Sequence, residues 1–167
     1  VSIPYMQSRG GPVEIPYKLN PFRQSLGWQR LPAVLKIAGY DPARDFLFGD
    51  KYQMTSLLSF YSEGQRRAYF FNISDTRKNQ FSYWPSMADE QVGRTGYFVT
   101  IENAPRLPGN MPWIQEHYLS VLAPYFDAVE YVGVAPLFIC NGEVAKAAFI
   151  FRCKGYNGQE PQAKVSY

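Results

Sequence analysis

Apolar segments of strand length alternate with helix-length segments through the first two-thirds of this chain, and this alternation restricts its fold more than any other feature. The strand-like segments are residues 45–48, 68–73 and 96–101. The helix-like segments are residues 28–38, 55–61 and about 110–126. Strands separated by helices are typical of an α/β domain whose sheet is mostly parallel.

The last third predicts antiparallel pairing instead. Residues 128–134, 136–140 and 145–152 read as three strands, and Asn141-Gly142 favours a two-residue hairpin turn between the last two. That turn places Cys140 opposite Glu143 and not opposite Cys153, so we expect two buried free thiols. The predicted fold is therefore an α/β three-layer sandwich with a mostly parallel sheet and an antiparallel C-terminal hairpin.

Length and composition indicate one folded domain. With 167 residues, of which 46% are hydrophobic, the chain can bury a core without a disulfide or a metal. We expect a Pro- and Gly-rich extended lead-in at residues 1–24, a single α/β domain at 25–155 and a loose polar tail at 156–167. The chain contains no apolar run of about 20 residues, the length that a membrane span requires.

Several classes of function are disfavoured by what the chain lacks. A net charge of +3 with scattered basic residues argues against a nucleic-acid partner, although a weak preference for phosphate or anionic lipid stays open. The chain has a single histidine, His117, and no cysteine pair at ligand spacing, so we expect no metal. It has no Gly-rich phosphate loop and no Gly-x-Ser-x-Gly elbow, so we expect no cofactor and no self-contained hydrolase or dehydrogenase.

Polar residues follow the first predicted strand, where an open α/β sheet would bind a ligand. Asp50 ends that strand and is the leading candidate for a binding residue, with capping of the following turn or helix as its alternative role. Thr55 or Ser56 is expected to cap that helix. Tyr52 and Gln53 follow Asp50 on the same loop and extend the predicted site.

A second group of candidates lies in the loop after the next strand. Arg77, Asn79 and Gln80 are suited to bind phosphate or sugar hydroxyls. Tyr83 and Trp84 are suited to stack on a sugar ring. The alternative is a loop that is simply held in place by buried aromatic rings. We expect Asp89 and Glu90, further along, to be surface charges.

The order of several short motifs resembles the soluble C-terminal region of bacterial family 39 glycosyltransferases. These GT-C-type membrane enzymes are related to protein O-mannosyltransferases and to the aminoarabinose transferases of lipid A. The matching motifs, in order over residues 25–155, are Gly27-Trp28, Gly49-Asp50-x-Tyr52-Gln53, Ser59-Phe60-Tyr61 with Gly64-Gln65, and Asn79-Gln80-Phe81 with Trp84. The charged run Ser74-Asp75-Thr76-Arg77-Lys78 departs from the family pattern.

The resemblance implies a role for the whole parent protein. Such an enzyme transfers a sugar from a polyprenyl-phosphate carrier to an acceptor at the outer face of the bacterial cytoplasmic membrane. Its catalytic acidic residues, and any metal dependence, belong to a transmembrane region that would precede Val1. This chain is then expected to be a non-catalytic periplasmic domain that contacts the acceptor, the carrier head group or the transmembrane portion of its own parent.

Two other hypotheses remain open at this point. The aromatic residues Tyr52, Tyr83 and Trp84 also suggest a stand-alone module that binds sugars or lipid head groups. Alternatively, the chain is an independent α/β enzyme that uses Asp50 with Arg77 or His117 on a phosphorylated substrate.

Overall fold

The computed structural model describes residues 26–73, 83–103 and 107–162, so the predicted lead-in at 1–24 lies outside the described residues. Its helices are α1 (Leu31–Ile37), α2 (Tyr52–Tyr61), α3 (Met87–Glu90) and α4 (Leu107–Leu122). Its strands are β1 (Phe46–Gly49), β2 (Tyr69–Phe70), β3 (Gly96–Asn103), β4 (Phe126–Cys140) and β5 (Glu143–Tyr156). Among the described residues, no helix has the length and apolar character needed to cross a membrane.

The five strands form one open, mixed sheet in the order β2-β1-β3-β5-β4. Strand β1 runs parallel to β2 and to β3, whereas β5 runs antiparallel to both β3 and β4. The antiparallel pairs are much the longer ones, and β4 pairs with β5 from Phe126 opposite Tyr156 to Cys140 opposite Glu143. The predicted α/β class and the antiparallel C-terminal hairpin are confirmed, but the prediction of a mostly parallel sheet is wrong.

The error has a physical cause in the lengths of the strands. Strand β2 contributes only two residues, although its apolar run suggested six, so the parallel part of the sheet is small. Strand β4 joins two segments that were predicted to be separate. It continues past Gly133 and Pro136, and its register shifts at three irregularities: between Tyr131 and Gly133, between Pro136 and Phe138, and between Phe138 and Ile139. A proline and bulges of this kind are tolerated on an edge strand.

Successive side chains of β1 point to opposite faces of the sheet and join different core clusters. Phe48 of β1 belongs to a core cluster that also contains Met87 of α3 and Tyr118 of α4. Its neighbour Leu47 belongs to a second cluster with Leu35 of α1 and Leu58 of α2. Burial on both faces explains why β1 and β5 read as continuous apolar runs and not as alternating ones.

The C-terminal hairpin has the turn that its sequence predicts. Asn141 and Gly142 both have positive φ, 51° and 78°, as a type I′ turn requires. Cys140 therefore lies opposite Glu143, and both cysteines are free, but only Cys153 is buried because Cys140 is at the end of the edge strand β4. Burial raises the pKa of the Cys153 thiol, so this sulfur remains protonated and unreactive.

Helix α2 begins earlier than predicted and is capped differently. It starts at Tyr52, and the N-cap position is Lys51, whose side chain makes no capping hydrogen bond. Thr55 and Ser56, the predicted caps, lie inside the helix and donate their hydroxyl hydrogens to carbonyls four residues earlier, each at 3.0 Å. Such back-bonding satisfies a hydroxyl within a helix and removes the need for a capping role.

Candidate functional site

Asp50 directly follows β1, at the carboxyl end of the parallel strands, as the sequence predicts. Side chains alternate between the two faces of a strand, so the Asp50 side chain points to the same face as Phe46 and Phe48. That face packs against α4. The residue is only 1% exposed, and its Oδ2 accepts a hydrogen bond of 3.1 Å from the hydroxyl of Tyr118. Asp50 therefore links β1 to α4, while α2 begins on the other face with Lys51 as its N-cap.

Tyr118 and Thr100 complete a buried polar group that we call the Asp50 cluster (Asp50, Thr100 and Tyr118). Thr100 of β3 is also buried, and its hydroxyl hydrogen-bonds to Tyr118. Burial, and next the charge of Asp50, raise the pKa of Tyr118. The tyrosine therefore stays a neutral hydrogen-bond donor to the carboxylate over the physiological pH range.

Tyr52 and Gln53 form an exposed polar pair that follows Asp50 closely in the chain. They are the first two residues of α2, which begins two residues after Asp50. The Gln53 side-chain amide donates to the Tyr52 hydroxyl at 3.2 Å. A phenol and an amide held together in this way can donate to and accept from the hydroxyls of a ligand.

The second predicted group is described only in part. Arg77, Asn79 and Gln80 lie outside the described residues. Tyr83 and Trp84 are 86% and 43% exposed. The carbonyl of Pro85 accepts a hydrogen bond of 3.2 Å from Arg67, which precedes β2, so this part of the chain passes the amino-terminal side of β2. The eight residues predicted from the sequence to bind a ligand are thus only partly described, and their grouping in one site stays a prediction.

Asp89 and Glu90 have structural roles that the sequence analysis missed. The Asp89 carboxylate accepts from the Ser86 backbone N–H at 2.7 Å and forms a capping box at the start of α3. The Glu90 Oε2 accepts from Arg67 and from the Tyr69 hydroxyl, each at 2.5 Å. The Ser-x-x-Asp spacing is a signal for a helix start that could have revealed the first of these roles.

A buried lysine on the opposite face was also missed. Lys146 of β5 is 2% exposed, and its Nζ donates to the Leu26 carbonyl at 2.9 Å. The same ammonium lies 5.2 Å from the ring centroid of Trp28, which in turn stacks on Tyr61 with 6.4 Å between centroids. Burial lowers the pKa of Lys146 to about 8. The signal was a lysine within residues 144–151, which are otherwise apolar.

Trp113 of α4 lies at the surface of the domain. It is 60% exposed and its ring stacks on that of His117, with centroids 4.7 Å apart and an interplanar angle of 10°. The next residue, Ile114, is buried. Because consecutive helical residues point in different directions around the axis, Trp113 lies at the flank of the buried face of α4.

In the ranges that the structure describes, no group of three or more His, Cys, Asp or Glu side chains is placed to hold a metal ion. Comparisons of the chain with known proteins found no matching family model, no matching curated protein and no matching solved structure.

Proposed function

We propose that this chain is the non-catalytic soluble domain of an integral-membrane glycosyltransferase of the family 39, protein mannosyltransferase-like type. The parent enzyme transfers a sugar from a polyprenyl-phosphate carrier to an acceptor. The observation that carries the proposal is the position of the motif residues on which the resemblance rests. Those that lie in the described part of the chain are at or next to junctions between secondary-structure elements, as expected for a domain that presents surfaces.

Gly27-Trp28 supports the proposal in this way. Gly27 has φ of 85°, and a Cβ atom there would lie 2.4 Å from the Leu137 carbonyl oxygen. Trp28 is buried between Lys146 and Tyr61, so the motif joins the start of the domain to β5 and α2. Only glycine allows the backbone this close approach with this φ.

The Ser59-Phe60-Tyr61 motif has a similar task. The Ser59 hydroxyl accepts a hydrogen bond of 2.8 Å from the Ala68 backbone N–H and donates to the Thr55 carbonyl at 2.9 Å. It therefore fixes the segment that enters β2 against the end of α2.

In the same proposal the domain is a three-layer sandwich, with α1 and α2 on one face of the sheet and α4 on the other.

In this proposal the carboxyl end of β1 assists binding of the acceptor or of the carrier head group. The Asp50 cluster positions α4 against β1, and Tyr52 and Gln53 offer the exposed polar groups. The predicted loop residues Arg77, Asn79, Gln80, Tyr83 and Trp84 would supply phosphate- or sugar-binding groups of a separate surface, since the chain next to Trp84 passes the amino-terminal side of β2. The domain would lie at the periplasmic face of the membrane, next to the transmembrane portion of its parent.

The gene upstream of Val1 tests the proposal most directly. We expect it to encode about ten or more apolar spans, with acidic residues in the first extracytoplasmic loop. A start codon at this point, or a signal peptide alone, would contradict the proposal.

Glycosyl transfer by the full-length protein tests the assisting role. We expect Asp50→Asn or Trp84→Ala to reduce glycosyl transfer while the amount of enzyme in the membrane stays unchanged. Val92→Ala, a substitution at an exposed position, is the control and should leave transfer unchanged. Unchanged transfer in both variants would contradict a role for this domain in the reaction.

The second candidate function is a stand-alone module that binds sugars or lipid head groups. The observation in its favour is the exposure of several aromatic side chains, Tyr52, Tyr83, Trp84 and Trp113. It predicts an open reading frame with at most a signal peptide ahead of the domain, so the same gene sequence separates the two functions.

A further inference from the structure

The exposed indole of Trp113 is held in a defined orientation by a chain of ring contacts. One face of the indole stacks on His117, with the centroids 4.7 Å apart. The His117 ring meets the ring of Tyr118 edge-on, with centroids 5.0 Å apart and an interplanar angle of 75°. Because Tyr118 bonds to Asp50, the exposed ring is connected to the buried Asp50 cluster.

The position of Trp113 brings it to the same end of the sheet as Asp50. Helix α4 begins beyond the carboxyl end of β3 and runs back along the sheet, since Phe126, just after it, pairs with Tyr156 near the start of β3. Trp113 precedes Tyr118 by five residues, which places it about 7 Å further toward this end.

Polar groups share the helix face of Trp113. Glu116, His117 and Ser120 follow it at spacings of three, four and seven residues, and all three are exposed. Residues three or four apart are neighbours on a helix surface, so Glu116 and His117 border Trp113, and Ser120 borders Glu116 and His117. A flat aromatic ring is thus combined with a carboxylate, an imidazole and a hydroxyl, and we call these four residues the Trp113 strip.

The charge of the strip selects among ligands. Glu116 is the only Asp, Glu, Lys or Arg residue in the sequence of α4, from Leu107 to Leu122. A carboxylate without a neighbouring cation on its own helix disfavours phosphate and anionic lipid head groups, which are recognised by Lys and Arg. It favours a ligand that is uncharged and rich in hydroxyl groups.

We propose that the Trp113 strip is a binding subsite for an uncharged sugar ring. The apolar C–H face of the sugar packs on the face of the indole that His117 does not cover, and Glu116, three residues further along the helix, accepts hydrogen bonds from hydroxyls at the edge of the sugar. Because the stacked His117 fixes the indole beforehand, less side-chain entropy is lost on binding. This inference rests on the proposed function, in which the domain meets the sugars of an acceptor.

The test is a titration of the 167-residue chain with methyl α-glucopyranoside and methyl β-galactopyranoside, followed by NMR of the indole N–H groups. The three tryptophans, Trp28, Trp84 and Trp113, are assigned with single Trp→Phe variants. We expect a saturable shift of the Trp113 signal with at least one glycoside. Glucose 6-phosphate should bind several-fold more weakly, because its charge is repelled by Glu116.

Variants assign the shift to the strip. Trp113→Ala should weaken binding by about tenfold or more, as expected for the loss of one stacking platform. Trp113→Tyr keeps a ring and should retain part of the affinity. Phe60→Ala is the matched control, because Phe60 is an aromatic residue with 63% exposure on α2, on the other face of the sheet. It should bind as the unaltered chain does.

Three outcomes would overturn the inference: no saturable shift with either glycoside, an equal loss in Phe60→Ala, or tighter binding of glucose 6-phosphate. Trp113-dependent binding to phosphatidylglycerol vesicles without a glycoside shift would also overturn it and assign the strip to the membrane surface. None of these results changes the expected upstream spans or the transfer assay, so failure here is distinct from failure of the proposed function.

Discussion

At the scale of single residues, glycines with the same backbone conformation face different constraints. Gly27 and Gly142 have φ of 85° and 78°, values that favour glycine. A Cβ at Gly27 would collide with the Leu137 backbone, whereas a Cβ at Gly142 has no atom of the described residues within 4 Å. Packing, and not φ alone, therefore determines which glycine is indispensable.

We predict that Gly27→Ala lowers the free energy of unfolding by about 2–4 kcal/mol, the sum of left-handed strain and overpacking. Gly142→Ala should cost only about 1 kcal/mol, since it carries the strain alone. Urea denaturation of the two variants measures both values. Equal costs would mean that the Leu137 carbonyl does not restrict residue 27.

The Asp50–Tyr118 hydrogen bond gives a second residue-scale prediction. Tyr118→Phe removes a donor from a buried carboxylate and should lower the free energy of unfolding by about 1–3 kcal/mol. Asp50→Asn and the double variant complete a cycle. We expect a coupling energy of at least about 0.5 kcal/mol, because the two residues are in contact. Additive costs would show that the bond contributes nothing to stability.

At the scale of elements, β4 lies at the edge of the described sheet and carries three exposed apolar residues, Val132, Val134 and Ile139. An edge of this length could pair with a second copy. Three register shifts and Pro136 interrupt it, and these are the features by which natural sheets prevent such pairing. The same features led the sequence analysis to divide β4 into two strands.

We predict that Pro136→Val promotes self-association of the chain, because it removes an interruption from the edge and adds a strand-forming residue. Sedimentation velocity over a range of protein concentrations would detect the dimer. Pro124→Val is the control, since Pro124 is an exposed proline in the turn between α4 and β4. If both variants stay monomeric, Pro136 does not protect the edge.

At the scale of the whole molecule, burial of Lys146 links stability to pH. Its pKa is lowered from 10.5 to about 8 in the folded chain. Between these values the unfolded chain binds more protons than the folded one, so stability rises with pH in this window. Above about pH 10 the direction reverses, because burial raises the pKa of Tyr40 from 10.0 to about 12 and the unfolded chain then loses protons first.

We therefore predict that the melting temperature rises from about pH 8 to about pH 9 and falls above about pH 10. Between these two ranges the raised pKa of Cys153 opposes Lys146, because the unfolded thiol, whose ordinary pKa is 9.0, loses its proton first. In Lys146→Met the rise should disappear, because the methionine stem occupies the same apolar space without a charge. The fall above about pH 10 should persist in that variant, which makes it an internal control. A rise that survives in Lys146→Met would assign the effect to another group.

The predictions from the sequence succeeded where the information is local. The segments of β1 and β3, the turn at Asn141-Gly142 and the pairing of Cys140 with Glu143 follow from hydrophobic runs and turn residues that are close together in the chain. The place of Asp50 at the end of β1 follows from the same pattern.

Only the tertiary structure decided the rest. A strand buried on both faces reads the same whether its neighbour is parallel or antiparallel, so the sequence could not place β5 between β3 and β4. The partner of Asp50 is 68 residues away, and the burial of Lys146 depends on Leu26, 120 residues away. The sequence by itself thus determined where strands and turns form, while contacts between distant segments decided strand direction, the surroundings of Asp50 and the exposure of Trp113.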